Sequence, residues 1–159
     1  MVSVRLAKLD DAESIAQLTA EVHRLHNKAH PELFRPPHED LFSKKKLAAL
    51  LKDSNNVVGV AQAEGEIVGH VYAELIHRAE NVFRHAESTI YVHQIGVRED
   101  SRRQGIGSAL MNFIEEHAAA LGVNAIGLDH WAFNTSARDF FEARGFTPSQ
   151  VKMRKELKG

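Results

Sequence analysis

The sequence predicts an α/β fold, a mixed β-sheet with helices on both faces, on three observations. Val57–Ala63 and Ile67–Ile76 are apolar, β-branched runs separated by Glu64-Gly65-Glu66, a hairpin signal that demands antiparallel strands. Ile106, Ala109, Leu110, Phe113, Ile114 and Leu121 lie on one stripe of a helix that Gly122 ends. That helix sits between two further strands, Thr89–Val97 and Ala125–Asp129, and a strand–helix–strand crossover makes its strands parallel.

The remaining elements follow in order. Val2–Leu6 alternates apolar and polar residues like a short strand. Asp10 with Glu13 has the spacing of a capping box, and Ile15, Leu18, Val22 and Leu25 continue at helical spacing. The pattern fails from His26 to His38, where Pro31, Pro36 and Pro37 oppose a regular helix. A second helix is expected over Phe42–Leu51. Near the end, Asn134, Thr135 or Ser136 caps a helix bearing Ala137, Phe140 and Phe141 that stops at Gly145, and Val151–Leu157 alternates as a last strand. The order is β-α-α-β-β-β-α-β-α-β, without repeats or an interdomain linker, so residues 1–159 are expected to form a single domain.

Composition narrows the function. With 43% hydrophobic and 26% charged residues the chain reads as an ordinary soluble protein. It has no cysteine, which excludes disulfides, a thiolate nucleophile and cysteine-ligated zinc. A formal net charge of −1 argues against nucleic acid as the main partner. No apolar run reaches the roughly 20 residues of a membrane span, and residues 1–9 lack the apolar core of a signal peptide. Cytoplasm is the expected location.

The chemistry gathers at Arg102-Arg103-Gln104-Gly105-Ile106-Gly107-Ser108, which joins a strand to a helix N-terminus. Such a junction exposes backbone N–H groups without intrahelical partners and carries the positive end of the helix dipole. Gly105 and Gly107 let the main chain approach a ligand, and two arginines add charge, as a pyrophosphate requires. Glycines before a helix also serve simple turns. Two nucleotide-binding alternatives fail on residues: a dinucleotide fingerprint wants glycine or alanine where Leu110 stands, and a P-loop wants Gly-Lys-Ser/Thr.

The loop resembles motif A of the GCN5-related N-acetyltransferase (GNAT) family, Arg/Gln-x-x-Gly-x-Gly/Ala, through Arg102, Gly105 and Gly107. Ile95-Gly96-Val97 is similar to the family's fourth strand. Asn134, Ala137, Phe140-Phe141-Glu142 and Gly145-Phe146 are similar to its motif B, and Met153-Arg154-Lys155-Glu156-Leu157 to common family endings. The likeness is dense from Thr89 to Phe146 and extends in element order over the whole chain.

The resemblance implies the acyl-CoA N-acyltransferase fold and transfer of acetyl from acetyl-CoA to an amine by direct attack in a ternary complex. Backbone amides of Arg103, Gln104, Gly105, Ile106, Gly107 and Ser108 would hold the coenzyme A pyrophosphate. The pantetheine would pair with main chain near Ile95 and Val97, in a slot opened by splaying of the fourth and fifth strands, with a bulge tolerated by Gly96. Asn134 would touch the pantetheine, and the helix from Ala137 through Phe141 would flank the thioester.

A protonated amine cannot attack, so a group must accept its proton. Strict alternation puts Tyr91, His93, Ile95 and Val97 on one face of the strand and Val92, Gln94 and Gly96 on the other. The family often carries its base just before this point, which makes His93 the candidate, with a histidine's ordinary pKa near 6.5 suited to the task. Tyr91 is the second choice, better placed as a pocket wall. Phe141 stands where motif B usually has the tyrosine that protonates the leaving thiolate. A thiol pKa near 8.5 allows departure without it.

The ten histidines include His23, His26 and His30, but no metal-binding pattern is present and no metal is expected. Trp131 reads equally as pocket lining or packing. In the family, the segment between the first two helices, here 26–41, and the 78–88 connection help form the acceptor pocket. Their mixed charge (Glu32, Arg35, Glu39, Asp40, Arg78, Glu80, Arg84, Glu87) selects no acceptor. A non-catalytic coenzyme A sensor and an enzyme using a longer acyl-CoA are the alternatives. An exposed C-terminal strand would be one route to a homodimer.

Overall fold

The computed structural model describes residues 1–158, with the side chains of Glu39 and Asp40 outside the described residues together with Gly159. The acceptor-pocket expectation for Glu39 and Asp40 therefore lies outside them. Two compact units divide the chain, residues 1–129 and 130–159.

The first unit contains β1 (Val2–Leu6), α1 (Ala12–Ala29), α2 (Lys44–Lys52), β2 (Asn56–Ala63), β3 (Glu66–Arg78), β4 (Glu87–Val97), α3 (Ile106–Ala120) and β5 (Ile126–Leu128). The sheet order is β1-β2-β3-β4-β5. The first four strands pair antiparallel and β5 joins β4 in parallel, as the crossover requires. The hairpin turn holds Glu64 at φ 52° and Gly65 at φ 82°, the left-handed pair that matches the twist of adjoining strands.

Hydrophobic residues sort by face. Val58 and Val60 of β2 pack with Ile15 of α1 and with Phe42 and Leu47 at and within α2. On the opposite face α3 approaches so closely that a Cβ on Gly69 would meet Ile106 at 2.9 Å and Leu110 at 3.1 Å. Ile15, Leu47, Leu110 and Ile114 are fully buried. Helices thus cover both faces of a mixed sheet, an α+β arrangement.

Four local expectations need correction. The side chain that organises the start of α1 is Asp11, not Asp10: its carboxylate accepts the Lys8 N–H at 2.7 Å and two bonds from Arg5 at 2.8 and 3.0 Å. The helix also continues through His26 to Ala29, because the first obstacle to it is Pro31. Ser43 caps α2 by accepting the Lys46 N–H at 3.1 Å, so Phe42 precedes the helix. Val151–Leu157 forms no strand, and Val151, Met153 and Leu157 are 75%, 89% and 82% exposed. Alternation specifies which side chains would share a face; it supplies no neighbouring strand.

The Arg5 bonds hold the Asp11 carboxyl below its ordinary pKa, with burial opposing. Its stabilisation is therefore present above the unfolded carboxylate pKa and is lost as pH falls through the folded value. Asp11→Ala should lower stability at pH 7 by about 1–3 kcal/mol, since it removes two of the bonds Arg5 makes and leaves the Lys8 N–H without its acceptor. A shift of the urea midpoint at unchanged slope would register it, and an unmoved midpoint would contradict it.

In the second unit, α4 (Thr135–Ala143) is capped by Asn134, whose Oδ1 accepts the Ala137 N–H at 3.1 Å. At its other end Gly145 N–H bonds Glu142 O at 3.0 Å and Phe146 N–H bonds Phe141 O at 3.1 Å. This is a Schellman closure. The Phe141 and Phe146 rings, 5.6 Å apart, complete it as the customary apolar contact.

Candidate active site

Strand β4 organises the site. Its pairing with β3 runs the whole strand, but its pairing with β5 involves only Ile90, Tyr91 and Val92. From His93 to Val97, β4 has no partner strand on the β5 side among the described residues. The β4 edge near Ile95 and Val97, where the sequence placed the pantetheine, is thus unpaired by β5.

The bulge is in β4 but not at Gly96. Ala73 faces Val92 and the next β3 residue, Tyr72, faces Gln94, so His93 is the extra residue. One inserted residue reverses the alternation beyond it. Tyr91 and His93 share a face with Tyr72 and Glu74, while Gln94 and Gly96 now lie on that face too, and Ile95 and Val97 turn to the α3 side. The expected grouping of Tyr91, His93, Ile95 and Val97 is therefore wrong. Gly96 has a different duty: a Cβ there would meet the His70 ring at 3.1 Å and Val22 of α1 at 3.3 Å.

The expected base sits in a polar-aromatic cluster. His93 Nε2 is 2.8 Å from the Glu74 carboxylate, and the ring stacks on Tyr72 at 4.8 Å with 26° between planes. Tyr91 meets the same ring edge-on at 5.1 Å, and its hydroxyl donates to Asp129 just beyond β5. Burial, together with Asp129, pushes the Tyr91 pKa up to about 12. A phenol so reluctant to ionise is a poor base, which favours a pocket wall for Tyr91. Sequence reasoning missed Tyr72, Glu74 and Asp129. The available signal was a carboxylate interior to a central strand, Glu74, two residues from a tyrosine.

Past Val97 the chain makes a 3-10 turn, Glu99–Ser101, and reaches α3 through exposed Arg102, Arg103, Gln104 and Gly105. Arg103 has φ 63° and Gly105 φ 79°, and left-handed residues in such a loop turn successive N–H groups to one side. The first bond into α3 is Ala109 N–H to Gly105 O at 3.0 Å. The backbone N–H groups of Ile106, Gly107 and Ser108 make no hydrogen bond among the described residues. A Cβ on Gly105 would meet nothing within 4 Å, so the left-handed φ, rather than crowding, explains glycine there. Such donors at the positive end of a helix suit a pyrophosphate.

The remaining predicted residues lie elsewhere. Asn134, Ala137 and Phe141 belong to the second unit, where the Asn134 side chain is engaged as a cap and Phe141 is buried. His23 and His26 face Phe34, with ring nitrogens bonded to Arg35 O at 2.7 Å and Val22 O at 3.0 Å. No three potential ligands converge on a metal site among the described residues. No helix among them is long and apolar enough to cross a membrane. A polar groove of about 430 Å³ touches Arg5, Asp11, Glu66 and Arg98, but Arg5 is paired with Asp11 and Arg98 with Glu66.

The acetyltransferase (GNAT) family model matches residues 19–146. An uncharacterized N-acetyltransferase of Bacillus subtilis, YdgE, is 24% identical over 67% of this chain, and a probable N-acetyltransferase of Xenopus tropicalis, camello, 25% over 87%. The matches span 65% and 59% of those proteins' own lengths. A crystallised mutant of the BH1408 protein of Bacillus halodurans is 26% identical, covers 98% of this chain and 99% of its own, and superposes with a TM-score of 0.93. With the family model running through both the β4–α3 loop and α4, the chain belongs to the GNAT family of acetyltransferases.

Proposed function

We propose that this protein is an acetyl-CoA-dependent N-acetyltransferase acting by direct attack in a ternary complex. The observation that carries the reading is that one strand, β4, leads into the unpartnered N–H groups of Ile106–Ser108, opens its β5-side edge from His93 to Val97, and bears His93 at the start of that edge. The pyrophosphate would rest on the α3 N-terminus and the pantetheine would lie along the open edge. The amine nitrogen attacks the thioester carbonyl carbon, the C–S bond breaks, coenzyme A leaves as thiolate, and His93 takes the amine proton. The carboxylates of Glu74 and Asp129, beside the rings of Tyr72 and Tyr91, favour a basic acceptor. The family match across both units supports reading residues 1–159 as one catalytic domain.

Phe141 supports a second reading, a coenzyme A-binding sensor without turnover, since it offers no proton to the thiolate. Calorimetric titration with acetyl-CoA, against ATP and NAD, tests what the two readings share. Micromolar binding of acetyl-CoA alone is expected, and none would refute both. Thiol release across a panel of amines then separates them: release with any amine supports the enzyme, and silence across the panel supports the sensor.

A further inference from the structure

The base reading leaves open which nitrogen of His93 accepts the proton and what fixes it. The His93 contacts answer this. Nε2 faces the Glu74 carboxylate at 2.8 Å, while Nδ1 makes no hydrogen bond among the described residues. A carboxylate only accepts, so the hydrogen between them belongs to Nε2, and a neutral imidazole then carries its lone pair on Nδ1. Ring rotation is opposed by Tyr72 stacked on one side and Tyr91 set edge-on, both within about 5 Å. Glu74 is itself held opposite Tyr91 in the β3–β4 ladder, where Tyr91 faces it across the pair. His93 and Glu74 are each about one-third exposed, so the pair is open enough to meet an acceptor yet ordered by its neighbours.

We propose that Glu74 is a positioning residue that holds His93 as the Nε2–H tautomer and thereby makes Nδ1 the atom that receives the proton from the attacking amine. The bond-making is the transfer already described: N–H of the amine breaks, Nδ1–H forms, and Glu74 keeps its charge beside the imidazolium without itself being protonated. The proposal rests on His93 as base, but its first test does not. Histidine-labelled protein, observed by two-bond proton–nitrogen correlation with His93→Ala to assign the signal, should show His93 protonated at Nε2 and bare at Nδ1 when neutral. Glu74→Ala should weaken that preference to the tautomer mixture of a free imidazole.

A wild-type signal protonated at Nδ1, or an Nε2–H preference unchanged in Glu74→Ala, would overturn the assignment. Should Glu74→Ala fail to fold, the isosteric Glu74→Gln, whose amide can present either donor or acceptor, should show a tautomer mixture in its place. With an amine found by thiol release, Glu74→Ala should lower kcat by at least about tenfold, since the imidazolium formed on proton transfer loses the carboxylate beside it, with acetyl-CoA affinity unchanged. Full activity in His93→Ala would refute the base reading, whereas loss in His93→Ala with an unaltered rate in Glu74→Ala would refute Glu74 alone.

Discussion

His93→Ala should lower kcat/KM by roughly 10²- to 10⁴-fold, the usual contribution of a positioned general base, while acetyl-CoA binds as tightly as before. The separation is expected because His93 is the unpaired residue of the bulge. Removing its side chain breaks no ladder hydrogen bond and leaves Ile106–Ser108 untouched. The side chain is one-third exposed, so its loss creates no buried cavity. Calorimetry for affinity and initial rates of thiol release for turnover check both halves. A variant that keeps its rate places the base elsewhere, with a substrate-held water relayed by Glu74 the next arrangement to examine. A variant that loses affinity in proportion to rate makes His93 a binding residue instead.

Unfolding free energy should fall by about 3 kcal/mol as pH drops from about 6.5 to 4, and His70→Leu should remove most of that slope. His70 lies in β3 beneath Gly96 and is 1% exposed. Among the described residues neither ring nitrogen has a hydrogen-bond partner, and the Gln94 amide oxygen is likewise buried without one. Burial pushes the His70 pKa down to about 4, against a weaker opposing influence of Gln94. The folded state therefore resists a proton that the unfolded chain accepts near 6.5. Stability is full above that value and declines until the folded histidine titrates near 4.

His26, lowered by its own burial, leaves a residual slope of the same sign, and Asp11 acts only at lower pH. Leucine at position 70 also removes two unpaired polar atoms, so at pH 7 it should be neutral or stabilising. Urea titrations of both proteins at several pH values decide the matter: parallel curves would refute the assignment.

What could be read from the chain alone was whatever a short stretch determines. The Glu64-Gly65 turn, the apolar stripe of α3 and its stop at Gly122 are local devices, and each appears where expected. The strand-to-helix junction before α3 was legible for the same reason, since a helix N-terminus and two glycines occupy adjacent residues. The bulge was not, because a bulge is a mismatch between two strands and β4 by itself reads as regular. That one displaced residue misassigned the faces of Gln94, Ile95, Gly96 and Val97. Glu74 and Asp129 escaped for a related reason, being 19 and 38 positions from the residues they bond. The failed C-terminal strand shows the converse: a good pattern needs a neighbour.

The insertion at position 93 has a consequence for how such a protein can change. Because the residue there lies outside the ladder, its identity is released from the demands of sheet formation, and propensity and pairing exert little hold on it. The neighbouring positions are tied to Ala73, Tyr72 and the α3 face. Evolution or a designer can therefore exchange the side chain at this socket, imidazole for carboxylate or amide, while the surrounding sheet and α3 stay the same.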